Sequence, residues 1–196
     1  MNSKNTMRGD ESMKLNVTGL TPSQLEACDE LAELLQMEQD QTGILVQFIK
    51  SNQAGRGITI TYDGTQARIM YTADHQWPRA LGLLVEHIQS QPQASLQVEE
   101  KPSYERLSVM VDCSRNAVLH MDGFKRLVRH LALMGYSEIQ LYMEDTYELP
   151  DYPYFGYMRG RYSGEELKAM DQFASPFGIA VVPCIQTLAH LNQALQ

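Results

Sequence analysis

The sequence has too little positive charge and too few cysteines for several large classes of protein. Its 196 residues include 16 Lys and Arg against 24 Asp and Glu, a formal net charge of -8. That balance repels a phosphate backbone, so no nucleic-acid partner is expected. The three cysteines, Cys28, Cys113 and Cys184, are far apart and lack a Cys-x-x-Cys spacing. This pattern argues against a disulfide framework and against a zinc ribbon.

Long apolar runs are also missing. No run approaches the roughly 18 residues that a membrane span needs, and residues 1–13 lack the apolar central region of a secretory signal. We therefore expect no membrane partner and a cytoplasmic location. Because residues 1–13 offer nothing apolar to offset the entropy cost of ordering, they are predicted to form a disordered tail.

Several motifs that mark common enzyme classes do not occur. The chain contains no Gly-rich phosphate loop, no His-Glu-x-x-His and no Gly-x-Ser-x-Gly. Its five histidines are dispersed, whereas catalytic zinc sites present His or Cys ligands at recognisable spacing. Neither a metal nor another cofactor is expected. A metal-dependent hydrolase using Asp112, Asp145, Cys184 and His190 is the least favoured of three functional hypotheses.

Residues 14–101 have the pattern of a small α/β domain. A capping residue, Thr21, precedes Pro22 and a run of leucines at helical spacing, which predicts a helix. Alternating apolar residues predict strands, with a hairpin turn at Asp63-Gly64, and a second apolar helical face follows. The predicted strands are 44–49, 57–62 and 66–71, and the second helix is 77–89. Residues 90–103, rich in Gln, Pro, Ser and Glu, are predicted to be a linker.

Residues 102–196 have a different pattern, in which continuous apolar runs alternate with helical segments. The runs at 107–111, 139–143 and 179–185 are typical of parallel strands buried on both faces. Helices are predicted at 122–134 and after the capping box that starts at Ser163, and residues 188–195 suggest a third. The fold class is therefore α/β, with two successive strand–helix–strand crossovers.

Polar side chains follow each of these three strands, at the edge where parallel α/β sheets place their sites. This suggests one shared cleft, although each residue taken singly has a structural alternative. Asp112 and Arg115 would then be a local ion pair, Asp145 a loop or cap residue, and His190 a helix-start residue. The polar residues are Asp112, Ser114 and Arg115; Glu144, Asp145, Tyr147 and Glu148; and Gln186, Thr187 and His190.

Seven aromatic residues fall between positions 142 and 162, a dense cluster for a loop. Aromatic faces stack on the C–H surfaces of sugar rings, and nearby acids and guanidiniums bond the hydroxyls, a combination that suits neutral carbohydrate. The alternative is that the rings pack the loop. We expect most of them to be structural and one or two to line the site. Arg159 and Arg161 are expected to pair with Asp151 or another local acid.

Several segments of the second half resemble family 20 glycoside hydrolases, the β-N-acetylhexosaminidases. Val109-Met110-Val111-Asp112-Cys113-Ser114-Arg115 is similar to the family's first barrel strand, and the segment 139–148 to its second. The segments 153–162 and 183–191 resemble a bacterial subgroup that favours small glycosides and glycosphingolipid-type substrates. Residues 102–196 would then be the first three β/α units of a TIM (β/α)8 barrel, truncated, and residues 14–101 the small α+β domain that precedes it.

The resemblance implies roles for particular residues. Arg115 matches the arginine that holds the C3 and C4 hydroxyls of the terminal N-acetyl sugar. Asp145, with Glu144 as second choice, matches an acid that supports the catalytic machinery. His190 matches the histidine that links this acid to the general acid, although Gln186-Thr187-Leu188-Ala189 departs from the commoner Asp-x-Pro-Gly before it. Glu144, Tyr147 and Gln186 are further candidates for substrate contact.

The family's mechanism predicts what this chain lacks. The substrate's own 2-acetamido oxygen attacks the anomeric carbon, and an Asp-Glu pair after the fourth strand assists. A closed barrel takes about 250 residues, so the chain is expected to be an N-terminal fragment that is inactive alone and self-associates through its exposed barrel edge. The expected function is exo-β-N-acetylhexosaminidase on an N-acetylhexosamine-terminated glycoside. The alternative is a non-catalytic carbohydrate-binding or interaction module.

Overall fold

The computed structural model describes residues 12–52, 57–115 and 117–186. Up to Glu100 the chain forms a mixed sheet of six strands in the order β2-β1-β3-β5-β4-β6. These strands are β1 (Met13–Thr18), β2 (Met37–Gln39), β3 (Ile44–Lys50), β4 (Ile58–Tyr62), β5 (Gln66–Tyr71) and β6 (Leu96–Glu100). Two helices, α1 (Pro22–Leu35) and α2 (Gln76–Ser90), follow β1 and β5 along the chain.

The first helix begins where the capping signal predicts it. The Thr21 side chain accepts a hydrogen bond from the Gln24 amide, and the Gln24 side chain accepts one from the Thr21 amide. This reciprocal pair satisfies two amides that the first turn leaves without a helical partner. Alternate side chains of the sheet, such as Val46, Phe48 and Ile69, are buried in the core with α1 and α2.

Three of the six strands are absent from the sequence-based prediction. Met13, assigned there to the tail, is the first residue of β1, and β2 is only three residues long. The segment 90–103 is not only a linker, because β6 lies within it and pairs antiparallel with β4. Its half-buried Leu96 and Val98 alternate with polar residues, a weak signal that pairing with a neighbouring strand completes.

The second sheet has three parallel strands in the order β7-β8-β9. They are β7 (Ser108–Asp112), β8 (Glu138–Met143) and β9 (Ala180–Ile185). The crossovers are α3 (Met121–Met134) and α4 (Gly164–Ala174), the latter continued by a 3-10 turn at Ser175–Phe177. The strands, the helices and the capping box at Ser163 confirm the predicted α/β pattern. The suggested helix at 188–195 lies outside the described residues.

The prediction that these strands are buried on both faces is wrong in the structure. Ile139, Leu141 and Met143 are buried in the core with the helices. The other face, formed by alternate residues such as Met110 and Tyr142, is not covered by any described element, and Met110 is 55% exposed. A continuous apolar run predicts a strand with apolar side chains on both faces, but it does not show that another element packs against each face.

The two sheets are joined through their helices. Trp77 of α2 donates a hydrogen bond from Nε1 to the Pro176 carbonyl at 3.1 Å and stacks on Phe177, with ring centroids 6.2 Å apart. Arg129 of α3 pairs with Glu30 of α1. These contacts fix the three-stranded sheet against the first half of the chain. Among the described residues, no helix is long and apolar enough to cross a bilayer.

Candidate functional site

The register of the three-stranded sheet places the ends of its strands side by side. Asp112 of β7 pairs with Tyr142 of β8, and Tyr142 pairs with Cys184 of β9. Because the three strands are parallel, their C-terminal ends lie side by side, and the chain leaves all three strands at one edge of the sheet. We call this edge the rim. The β7 loop (113–115) and the β8 loop (144–163) begin on it.

The β7 loop is organised around the Asp112 carboxylate. Oδ1 accepts hydrogen bonds from the Ser114 amide at 3.0 Å and the Ser114 hydroxyl at 2.6 Å. Oδ2 accepts one from Nη1 of Arg115 at 2.5 Å. The predicted local ion pair is therefore present, and the Arg115 side chain that it holds at the rim is 67% exposed. The carboxylates of Asp112 and, more weakly, Glu144 raise the pKa of Arg115.

The Asp112 carboxyl should titrate below the ordinary Asp range. The Ser114 hydroxyl is the main cause and the Arg115 guanidinium the second, and both lower the pKa of Asp112 from 3.8. The ionised Asp112 carboxylate therefore stabilises the folded chain fully at pH values above its unfolded-state pKa of about 3.9. This contribution is lost as the pH falls through the lowered pKa of the folded state. We expect carboxyl-carbon NMR titration to give a midpoint below 3.8 in the wild-type chain.

Removal of the main cause should move that midpoint. In Ser114→Ala the midpoint of Asp112 should rise towards its ordinary value, because the strongest donor to the carboxylate is lost. Ser103→Ala is the matched control, since Ser103 is exposed and precedes β7 at the opposite end of the strand. A wild-type midpoint at or above 3.8 would contradict the geometry described for this loop.

One arginine, Arg159, connects the Asp145 carboxylate to the β7 loop. Nη2 of Arg159 is 3.3 Å from Oδ1 of Asp145 and also donates to the Ser114 carbonyl. One guanidinium therefore connects the loops of two neighbouring strands. Oδ1 of Asp145 is buried and accepts no hydrogen bond from a described residue, because the 3.3 Å approach lacks hydrogen-bond geometry.

Three arginines at the rim each form an ion pair with an acidic side chain. The pairs are Arg115 with Asp112, Arg159 with Asp145, and Arg161 with Glu148, the last at 3.6 Å. Both β8-loop arginines thus pair with local acids as expected, although neither acid is Asp151. Charges that are already paired leave a site with little net attraction for an anion, which suits a neutral ligand.

The remaining predicted site residues are placed as follows. Glu144 is half-buried at the rim, and Gln186, directly after β9, donates from Nε2 to the Tyr142 hydroxyl at 2.6 Å. Tyr147 is half-buried and packs edge-on against Phe155 with centroids 5.1 Å apart. The structure therefore brings the β7, β8 and β9 ends together. Thr187 and His190 lie outside the described residues.

The aromatic cluster of the β8 loop divides into packed and exposed rings. Tyr162 is buried, and its hydroxyl bonds both the amide and the carbonyl of Leu119. Phe155 and Tyr147 pack against each other. The exposed rings belong to Tyr152, Tyr154 and Tyr157. Within the described parts of the chain, no cluster of three or more His, Cys, Asp or Glu side chains is arranged to hold a metal ion.

Comparisons with known proteins agree with this geometry at the level of fold. No protein-family model and no curated protein matches the chain. Solved structures do match. The β-N-acetylhexosaminidase from Bacteroides fragilis has a TM-score of 0.70 at 17% identity, over 95% of this chain and 42% of its own. The family 20 β-N-acetylhexosaminidase from Streptomyces coelicolor has a TM-score of 0.68 at 20% identity, over 95% and 44%.

The chain shares part of the fold of these family 20 β-N-acetylhexosaminidases.

A third such structure is the exo-β-N-acetylglucosaminidase from Vibrio harveyi, solved in complex with N-acetylglucosamine. It has a TM-score of 0.65 at 17% identity and matches 89% of this chain but 33% of its own. The chain thus spans less than half the length of these hexosaminidases. Its mixed α/β architecture corresponds to part of their fold.

Arg159 makes a contact at the rim that its sequence context does not predict. The sequence predicts that it pairs with a local acid, and in the structure it also donates a hydrogen bond to the Ser114 carbonyl across the two loops. The signal that was available is the alternation of glycine and arginine in Gly156-Tyr157-Met158-Arg159-Gly160-Arg161. Gly156 and Gly160 both adopt a positive φ of 65°, which the glycines permit, but the spacing does not indicate which carbonyl the arginines reach.

Proposed function

We propose that this chain is the leading part of a retaining exo-β-N-acetylhexosaminidase of glycoside hydrolase family 20. Its residues 102–196 would be the first three β/α units of the catalytic barrel, and its substrate a glycoside that ends in β-linked N-acetylglucosamine or N-acetylgalactosamine. The observation that carries the proposal is the position of Arg115. It stands on the same rim as Asp145, and Arg159 connects the two loops. The shared fold supports the same assignment.

Arg115 would hold the terminal sugar at its C3 and C4 hydroxyls. A guanidinium carries five N–H donors in a planar fork, which suits two adjacent hydroxyls. The Asp112 carboxylate holds Arg115 from the side of Nη1, and the side chain remains largely exposed above the rim. Hydrogen bonds from a charged donor contribute roughly 1.5–3 kcal/mol each, so one such residue is enough to determine whether a sugar binds.

Asp145 would support the catalytic machinery through His190. Its Oδ1 atom is buried without a hydrogen bond from any described residue, which leaves an acceptor available for an imidazole N–H. A carboxylate that accepts from a histidine fixes the ring's orientation and raises its basicity. In the mechanism implied by the resemblance, the substrate's acetamido oxygen attacks the anomeric carbon while an Asp-Glu pair stabilises the acetamido group and transfers the proton.

That Asp-Glu pair would follow a fourth strand, whereas the described part of this sheet has three. We therefore expect the 196-residue chain to bind the sugar without hydrolysing it. The purified chain should release no p-nitrophenol from p-nitrophenyl N-acetyl-β-glucosaminide. Release of p-nitrophenol by this chain would contradict the proposal that the chain carries sugar-binding residues but not the Asp-Glu pair.

Binding of N-acetylglucosamine, followed by NMR titration, tests the role of Arg115. Arg115→Ala should weaken binding at least tenfold, about 1.4 kcal/mol, because the hydroxyls lose their charged donor. Arg68→Ala is the matched control, since it removes an arginine from β5 of the other sheet. Equal binding by the wild-type and Arg115→Ala chains would overturn the assignment. A different result is that a longer protein, containing this chain and the rest of the barrel, binds N-acetylglucosamine without hydrolysing the glycoside. That result would favour the alternative, a non-catalytic sugar-binding module.

A further inference from the structure

Three tyrosines of the β8 loop present their rings to solvent. Tyr152, Tyr154 and Tyr157 are 66%, 84% and 64% exposed, and the rings of Tyr154 and Tyr157 lie 6.3 Å apart at 73°. We call these three residues the tyrosine platform. They contrast with Tyr162 of the same loop, which is buried and bonded through its hydroxyl. Packing of the loop therefore accounts for some of its aromatic residues but not for the platform.

The loop that carries the platform is held in one conformation. Three overlapping turns are closed by hydrogen bonds from Phe155 to Tyr152, from Tyr157 to Tyr154 and from Arg159 to Gly156, at 3.0–3.2 Å. Arg161 donates hydrogen bonds to the carbonyls of Pro153 and Phe155 in the same loop. Because the loop backbone is already held, binding a ligand has to order only the side-chain torsions of the tyrosines, which lowers the entropy cost and favours a recognition role.

The platform is attached directly to the candidate site. Gly156, between Tyr154 and Tyr157, lies against the Asp145 carbonyl so closely that an added Cβ would be 2.0 Å from its oxygen. The Cα atom of Tyr157 is one residue, about 3.8 Å, further along the chain. The backbone that carries the platform is therefore in contact with the backbone of Asp145, the residue whose carboxylate lies on the rim.

We propose that the tyrosine platform binds the second sugar ring of the substrate, the ring on the leaving-group side of the cleaved bond. This inference rests on the proposed function, because it takes Arg115 and Asp145 as the place of the terminal ring. An enzyme that removes terminal sugars holds only the last ring among its strand ends. The next sugar ring extends outwards from the strand ends and contacts side chains of the loops on the rim.

The chemistry of the platform favours a sugar as its occupant. A pyranose offers an apolar C–H face to an aromatic ring and hydroxyls to its edge, and a tyrosine has both an apolar face and a polar tip. The edge-to-face arrangement of Tyr154 and Tyr157 presents two ring surfaces at a steep angle, which suits a ring that rests on one tyrosine and touches the other. The paired charges of the rim match an uncharged ligand.

Titration of the chain with N-acetylglucosamine and with N,N'-diacetylchitobiose tests the platform. The wild-type chain should bind the disaccharide at least fivefold more tightly than the monosaccharide. In Tyr154→Ala/Tyr157→Ala this advantage should fall below twofold, while the affinity for the monosaccharide stays the same. The Tyr154→Phe/Tyr157→Phe chain should retain most of the advantage because the ring faces remain.

Tyr104→Ala is the matched control, since Tyr104 is 76% exposed but precedes β7 at the opposite end of the sheet. An unchanged disaccharide advantage in the double alanine chain overturns the platform alone. Failure of Arg115→Ala to affect monosaccharide binding overturns the proposed function, whatever the tyrosine variants do. A wild-type chain that binds neither sugar overturns both.

Discussion

Gly156→Ala should destabilise the chain by about 3 kcal/mol or more and weaken N-acetylglucosamine binding at least tenfold. The residue has φ of +65°, where a Cβ costs roughly 1–2 kcal/mol. The added Cβ would also be 2.0 Å from the Asp145 carbonyl oxygen, so either the loop or Asp145 must shift. Urea unfolding measures the first effect and sugar titration under folding conditions the second.

Gly160→Ala separates the two causes. Gly160 has the same φ of +65°, but the nearest atom to an added Cβ is a Val118 carbon at 3.8 Å. This variant should show only the conformational cost of about 1–2 kcal/mol, with sugar binding close to wild type. If the two substitutions had equal effects on stability and on sugar binding, the close contact between Gly156 and the Asp145 carbonyl would not contribute to the site.

Arg159→Ala should reduce N-acetylglucosamine binding at least tenfold in chains that remain folded. Arg159 is a positioning residue, because it bonds the Ser114 carbonyl and approaches Asp145 in one guanidinium. Without it the β7 loop is free to move, so the Asp112 carboxyl should lose part of its bonding to Ser114. Its pKa should then rise towards the ordinary value, a response that a purely global loss of stability would not produce.

Two further variants sharpen the result for Arg159. Arg159→Lys should recover little binding, since an ammonium is a point charge and cannot serve both partners in the planar geometry of a guanidinium. Arg161→Ala removes an arginine that bonds carbonyls within its own loop and pairs with Glu148. Its effect on the Asp112 titration should be small. A normal Asp112 titration in Arg159→Ala would show that the two loops are not linked through this residue.

The parallel half of the fold was predictable because its signals are local. The continuous apolar runs, the capping box at Ser163 and the helix ending at Gly135 each fix an element without reference to the rest of the chain. The polar residues after each run then follow from the geometry of parallel sheets. This is why the sequence alone predicts that Arg115 and Asp145 lie at one edge of the sheet.

The missed features depend on partners distant in sequence. Strand β6 has little apolar content and is stabilised by pairing with β4. The exposed face at Met110 depends on which elements cover the sheet, and apolar content alone does not reveal this. The bridge from Arg159 to Ser114 spans 45 residues. No spacing rule identifies which carbonyl a loop arginine will reach, so the link between the two loops required the structure.

A crystal structure of the chain with bound N-acetylglucosamine would test the central claim most directly. We predict that the sugar lies on the rim, with the Arg115 guanidinium in hydrogen-bond contact with its C3 and C4 hydroxyls and Asp145 on the same side of the sheet. A sugar bound elsewhere, with Arg115 still bonded to Asp112 and making no contact with the sugar, would contradict the claim.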